Sequence, residues 1–290
     1  MIEVAALNIY PVKSLRGIAL QQASLGGRGL GLDRQWMVTD ETGRFVTQRQ
    51  YPAMATIAVS LQGEALVLEH PAAGALAIDL AASDGPCIEV VVWRDRCPAI
   101  DQGGEAAAWL TRILAPEQSA PQFRLVRFVE SHQRPVDPDT LRGEPSAVAF
   151  ADAYPYLVTS ESSLAALNHE LVSCGARLVT MDRFRPNIVV SGMPAFAEDR
   201  HERLVAVSGR YALGLRKPCQ RCSITTTDQA TGRIADRREP LATLMRMNPW
   251  PDQPGAYFGQ NAILLSGEGE PVTVGDRLRL LPDAGDPAER

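Results

Sequence analysis

The chain has 290 residues, 45% of them hydrophobic and 22% charged, with a formal net charge of −5. That composition can fill one or two large cores and excludes a disordered chain, and the acidic balance disfavours nucleic acid as a partner. No apolar run reaches the ~20 residues that cross a bilayer, and residues 1–14 lack a secretory signal, so the sequence predicts a cytoplasmic protein with no membrane partner. Glycine and proline, 23 and 21 residues, are scattered and cut the chain into short elements. Strands are predicted over 2–10 and 17–25, then a glycine loop over 26–31, then a hairpin with arms 36–39 and 45–47 turning at Thr42-Gly43. Further strands follow at 55–61, 65–69, 75–79 and 88–93. Residues 104–114 read as a helix, because Ala107, Leu110, Ile113 and Leu114 share one face. Residues 130–145 turn polar and proline-bearing and read as an exposed connection or flap. A second helix is expected over 161–172, capped by Thr159 or Ser160, and a third over 240–247. Strands resume at 187–190, 204–207, 211–215, 223–227, 261–265 and 277–281. Many short strands and few helices predict a mainly β, α+β chain of barrel or sandwich type. The division expected is an N-terminal β-rich domain over 1–120, a second domain over 121–282 and a polar tail over 283–290.

Five cysteines, at 87, 97, 174, 219 and 222, make an odd number in a large chain, so a disulfide framework is not expected. The glycines of 26–31 lack dinucleotide-fingerprint spacing and lead into a strand; they read as a turn, beside which Arg34 can face an anion. The four histidines, at 70, 132, 169 and 201, include no pair at metal-ligand spacing. The segment that stands out is Arg216-Lys217-Pro218-Cys219-Gln220-Arg221-Cys222, a C-x-x-C pair among three cations. Nearby positive charge favours the thiolate, which binds metals and attacks electrophiles. A structural zinc site lacks a second ligand pair, and a thioredoxin-like pair would open a helix where 223–227 read as strand. A single thiolate ligand to a soft, partly open metal centre, with cations holding an anionic cofactor, is a further reading, and an inert buried pair is the bland one. Lys13-Ser14, after Tyr10-Pro11, and Arg183, Arg185 and Asn187, ahead of a strand, are residue types that grip phosphate and a heterocycle edge. Solvated charges at strand ends are the alternative.

Tyr10-Pro11-Val12-Lys13-Ser14 and Leu32-Asp33-Arg34-Gln35-Trp36 resemble the β-domain that precedes MOSC domains. Phe184-Arg185-Pro186-Asn187-Ile188-Val189-Val190-Ser191-Gly192, Lys217-Pro218-Cys219-Gln220-Arg221-Cys222, Thr225-Thr226-Thr227-Asp228 with Thr231-Gly232, and Phe258-Gly259-Gln260-Asn261 resemble the MOSC domain itself. In this order, over nearly the whole chain, the blocks resemble the family of the mitochondrial amidoxime reducing component and its bacterial YcbX-type relatives. The resemblance implies a MOSC β-barrel domain packed against an N-terminal β-rich domain, with a molybdenum cofactor (molybdopterin) held between them. It implies Cys222 as the catalytic residue and the one protein ligand of the metal, with Cys219 a neighbour of open role. Lys13, Ser14 and Arg34 would hold the cofactor, chiefly its phosphate, from the N-terminal domain, and Arg185 and Asn187 from the MOSC side. Gln220 and Arg221 would add contacts ahead of the ligand, Asn261 would close the site, and Tyr154 would contribute through its backbone.

The activity implied is reduction of N-hydroxylated compounds, an N–O bond being cleaved to give amine or amidine and water. Some bacterial relatives add a ferredoxin-like domain with a [2Fe–2S] cluster; Cys87, Cys97 and Cys174 lack its spacing, so no iron–sulfur cluster is expected. Electrons are then expected from a separate ferredoxin or flavoprotein/reductase-type partner. Two other functions stay open: a sulfurtransferase or sulfur carrier acting through a cysteine persulfide, and a non-catalytic carrier of the cofactor.

Overall fold

The computed structural model describes residues 1–118, 120, 122–250 and 252–282, so the tail expected over 283–290 lies outside the described residues. The first part of the chain contains β1 (Ile2–Ile9), β2 (Ile18–Leu20), β3 (Gln22–Gly26), β4 (Gly29–Leu30), β5 (Trp36–Asp40), β6 (Ala58–Gln62), β7 (Ala65–His70), β8 (Gly74–Asp79), β9 (Cys87–Val92), β10 (Asp95–Asp101), helix α1 (Gly104–Leu114) and β11 (Phe123–Phe128). The second contains β12 (Tyr156–Ser160), α2 (Glu161–Ser173), β13 (Ile188–Ser191), β14 (Arg203–Ala206), β15 (Ala212–Gln220), α3 (Leu241–Met247), β16 (Tyr257–Ser266), β17 (Pro271–Thr273) and β18 (Arg277–Leu281). The fold is mainly β, as the sequence predicts.

Seven strands close a barrel in the order β13-β12-β16-β15-β14-β18-β1, and β1 meets β13 on its other edge. The first strand of the chain thus completes a barrel built otherwise from residues 156–281. Val4, Leu7 and Ile9 from β1 join Val158, Val190, Leu213 and Leu215 in one buried cluster. Glycine is required at 259: its φ is +78°, and a Cβ there would lie 2.7 Å from the Val158 carbonyl oxygen. The N-terminal half adds the sheets β5-β11-β10-β9 and β6-β7-β8. Helix α1 covers them with the face read from the sequence, Leu110, Ile113 and Leu114 packing in one cluster with Trp36, Val38, Phe123 and Leu125. Helix α2 is capped by Ser160, whose Oγ accepts from the Ser163 N–H at 3.2 Å.

Several local expectations are corrected. Residues 223–226 form a 3₁₀ turn rather than a strand. The hydroxyls of Thr225 and Thr226 donate back to the carbonyls of Cys222 and Ser223, offering the backbone a turn in place of a ladder. The arm expected at 45–47 reduces to a single bridge, Thr39 to Phe45. The connection 130–145 is not wholly exposed, because Val136 and Leu141 bury against Tyr154 and Ile263. Strands β10, β11 and β12 escaped the sequence reading. Strand β10 carries Pro98, a residue that argues against a central strand, and β12 is buried at every residue and shows no alternation.

Candidate functional site

Where β1 leaves the barrel, the chain turns through Pro11-Val12-Lys13-Ser14 and is held against the start of β5. The Trp36 N–H donates to the Pro11 carbonyl at 2.9 Å, and the Lys13 N–H to the Trp36 carbonyl at 2.8 Å. The same end of the barrel receives the segments before β12 and β13 and the end of β15. A cleft of about 290 Å³ opens there. All ten residues singled out from the sequence line it: Lys13, Ser14, Arg34, Tyr154, Arg185, Asn187, Gln220, Arg221, Cys222 and Asn261.

The cleft is strongly cationic in an acidic chain. Lys13, Arg34, Arg49, Arg185, Lys217 and Arg221 line it against one carboxylate, Asp152. Lys13 is buried and donates to the Phe150 carbonyl at 2.7 Å and to Asp152 at 2.5 Å; burial lowers its ammonium below the usual range even with that partner. Arg34 and Arg185 lie over the Tyr10 ring, 4.3 and 4.2 Å from its centroid. Burial pushes the Tyr10 phenol up to about 12, so it stays a donor, to the Pro186 carbonyl at 3.2 Å. Burial also brings the Arg185 guanidinium down to about 10. Its Nη1 donates to the Leu15 carbonyl at 2.7 Å, while its Nη2 is buried without a partner among the described residues, as is Nε of Arg221. Each unpaired buried donor costs about 1–3 kcal/mol until an acceptor arrives. Three residues of the cleft, Ser14, Arg34 and Arg185, have left-handed backbones, at φ +67°, +49° and +57°. Such conformations in non-glycine residues are costly and cluster at functional sites.

The lining residues divide by what they have left to offer. Asn187 spends its amide on the protein: Oδ1 accepts from Arg34 at 3.2 Å and from the Leu157 N–H at 3.1 Å, and Nδ2 donates to the Asn8 carbonyl at 3.3 Å. Its place is therefore to fix Arg34 between β1 and β12. Tyr154 is likewise engaged, its hydroxyl bonded to Thr140. Gln220 and Asn261 make no side-chain hydrogen bond among the described residues, and neither does Cys222, half-buried at the start of the 3₁₀ turn. Cys219 differs: Nη1 of Arg221 donates to its sulfur at 2.9 Å, while Nη2 holds the Phe184 carbonyl at 2.6 Å.

The sequence reading missed Arg49 and Tyr10 as parts of the site, and did not weigh Lys217 beyond its motif. Nothing local marks Arg49, which reaches the cleft from the loop after Thr47 and stacks on Trp93 at 4.6 Å. It also missed a pair of buried amides that ties the two halves of the chain together. Gln48 and Gln229 donate to each other's oxygens at 3.0 and 2.9 Å, and Gln48 also donates to the Ser14 carbonyl at 2.8 Å.

Residues 1–117 match the model of the MOSC N-terminal beta barrel domain, and residues 145–279 that of the MOSC domain. Mitochondrial amidoxime-reducing component 1 of Mus musculus is 34% identical over 96% of this chain and 82% of its own length. The Homo sapiens protein of that name is 33% identical over the same shares. The chain belongs to the amidoxime-reducing component family. The crystal structure of the YUAD protein from Bacillus subtilis aligns over 96% of this chain and 94% of its own, with a TM-score of 0.40 and 11% identity. Both domains that match in this amidoxime-reducing component relative supply the cleft: Lys13, Ser14 and Arg34 from the first, Tyr154 to Asn261 from the second. Among the described residues no three His, Cys, Asp or Glu side chains converge as a metal site. The cations and the unpaired N–H groups of Arg185 and Arg221 fit an anionic, phosphate-bearing group. No helix among the described residues is long and apolar enough to cross a membrane.

Proposed function

We propose that the chain is a molybdenum-cofactor-dependent reductase of N-hydroxylated compounds, supplied with electrons by a separate electron-transfer protein. The observation that carries this reading is the cleft: a cysteine with an uncommitted sulfur, among six cations and one carboxylate. The names of the relatives, amidoxime-reducing components, supply the substrate class. When bound, the cofactor would supply the two-electron chemistry that removes oxygen from an N–O bond. The chain's own part is to bind, orient and shield. Lys13, Arg34 and Arg185 neutralise the cofactor's phosphate, and the free N–H groups of Arg185 and Arg221 find acceptors there. Cys222 donates its thiolate to the metal. Gln220 and Asn261, uncommitted within the protein, orient the organic part.

The test is metal and pterin content per chain after expression in a host that makes the cofactor, with turnover of an aromatic amidoxime under a chemical reductant. The wild type is expected near one molybdenum per chain. Cys222→Ser should lose turnover by at least about a hundredfold and alter metal content while its melting temperature stays within a few degrees, because one ligand is lost from an open cleft. A wild type without metal or pterin, carrying cyanide-labile sulfur on a cysteine, would establish the sulfur-transfer function instead.

A further inference from the structure

A second cavity of about 290 Å³ adjoins the cleft and is not used by the reading above. Phe196, Met247, Trp250 and Tyr257 form its walls, with Asp199 and Arg200 its charged members. Trp250 and Tyr257 meet edge to face, with centroids 5.3 Å apart at 82°. Phe196 holds a left-handed backbone at φ +58°, unusual for a bulky residue, and its N–H is fixed by Ser163 Oγ at 2.8 Å. Asp199 Oδ1 accepts from Gln260 Nε2 at 2.7 Å, whereas its Oδ2 makes no hydrogen bond or ion pair among the described residues. Arg200, next in the chain and exposed, forms no ion pair with it within hydrogen-bonding reach among the described residues, although its charge partly offsets the burial of Asp199.

An aromatic-walled cavity with one uncommitted carboxylate oxygen suits a flat organic cation, whose N–H groups meet the carboxylate and whose face meets the rings. We infer that this cavity binds a small planar organic cation of the amidinium class. It shares a wall with the cleft. Tyr257 is the register partner of Gln220, which lines the cleft, and a Cβ on Gly255 would lie 2.9 Å from the Tyr257 ring and 3.0 Å from Gln220 Nε2. Under the reductase reading, on which this role but not the binding rests, the amidoxime substrate is neutral near pH 7 and the amidine product is a cation. The neighbouring cavity, with its carboxylate and aromatic walls, accepts that cation.

Benzamidine is the probe, titrated calorimetrically into the full purified chain without reductant, so that neither metal content nor turnover enters the result. It should bind, and Asp199→Asn, which keeps an acceptor for Gln260, should weaken it at least about tenfold, as should Trp250→Leu. Neutral benzamidoxime should bind at least about tenfold more weakly than benzamidine, and Arg200→Ala should tighten benzamidine. Absence of binding at millimolar benzamidine overturns the inference, as does an affinity that Asp199→Asn and Trp250→Leu leave unchanged or that Arg200→Ala weakens. A chain that binds benzamidine in the expected pattern yet reduces no amidoxime would overturn the reductase reading alone.

Discussion

At the scale of single residues, the cleft is held by groups whose comfort in the isolated protein is incomplete. Arg185 combines a left-handed backbone, burial that disfavours its charge, and an Nη2 without an acceptor. The Tyr10 ring between two guanidinium groups offsets part of that cost. Glu198 is the acidic counterpart, away from the cleft. Its Oε1 accepts from Ser163 Oγ at 2.7 Å, its Oε2 has no partner among the described residues, and burial pushes its carboxyl up to about 7 from 4.5. Between those values the folded chain holds a proton that the unfolded chain has released, so this residue favours the fold below about pH 4.5 and loses that contribution as pH rises through 7. The shift corresponds to at most roughly 3 kcal/mol. Glu198→Gln keeps the acceptor for Ser163 and removes the titration. Denaturant melts at pH 5 and pH 8 should show the wild type losing about 1–3 kcal/mol relative to the variant across that range. Parallel pH profiles would mean that Glu198 titrates in the fold as it does in the unfolded chain. Asp199, raised by burial in the same direction to about 6, is present in both proteins, and its charge is one of the causes that raise Glu198.

At the scale of elements, the segment after Cys222 decides how the two halves of the chain meet. The 3₁₀ turn at Ser223–Thr226 is gripped by Arg183, whose Nη1 donates to the Thr226 carbonyl at 3.1 Å and whose Nη2 pairs with Asp228 at 3.2 Å. Beyond it, Gln229 enters the N-terminal half and bonds reciprocally with Gln48. Both amides are buried, at 0% and 6% exposure, so truncating one strands the other. Gln48→Leu and Gln229→Leu should each cost about 1–3 kcal/mol, and the double variant should cost less than their sum by at least about 1 kcal/mol, measured by a double-mutant cycle of denaturant melts. Strict additivity would show that the pair is not a coupled clasp. The sequence carried much of this site and little of this clasp, for a physical reason. The C-x-x-C spacing, the cations at strand ends and the helical face of α1 are local patterns, and local patterns survive in one dimension. Gln48 and Gln229 are 181 positions apart and ordinary in their own neighbourhoods, so only the fold reveals them as partners. Residues 223–227 fail in the other direction: their β-branched threonines read as strand, yet the hydroxyls close a turn that presents Cys222 at its start.

At the scale of the whole molecule, the unit that matters is the closed barrel, and it is not contiguous in the chain. Strand β1 fills the gap between β13 and β18, pairing Glu3 with Ser191 on one edge and with Arg277 on the other. Its own continuation then brings Lys13 and Ser14 to the cleft wall. Without β1 the other six strands would leave two open edges and would uncover the apolar residues that Val4, Leu7 and Ile9 cover. Local reading identified β1 as a strand but could not see that Leu7 pairs with Ile188, 181 positions later, to close the barrel. A fragment of residues 121–282 is therefore expected to associate or to lack cooperative unfolding. The antiparallel register of Ile2 with Leu278 puts the start of β1 beside the start of β18, with Pro282 four residues beyond Leu278 and within reach of Ile2 through a short Gly/Ser linker. Appending residues 1–10 after 282 through such a linker should restore a cooperative melt and a monomeric elution volume. A fragment that folds equally well with and without those ten residues would refute the view that β1 is an obligatory stave of the barrel, and with it the argument that the cleft's first wall is positioned by the barrel itself.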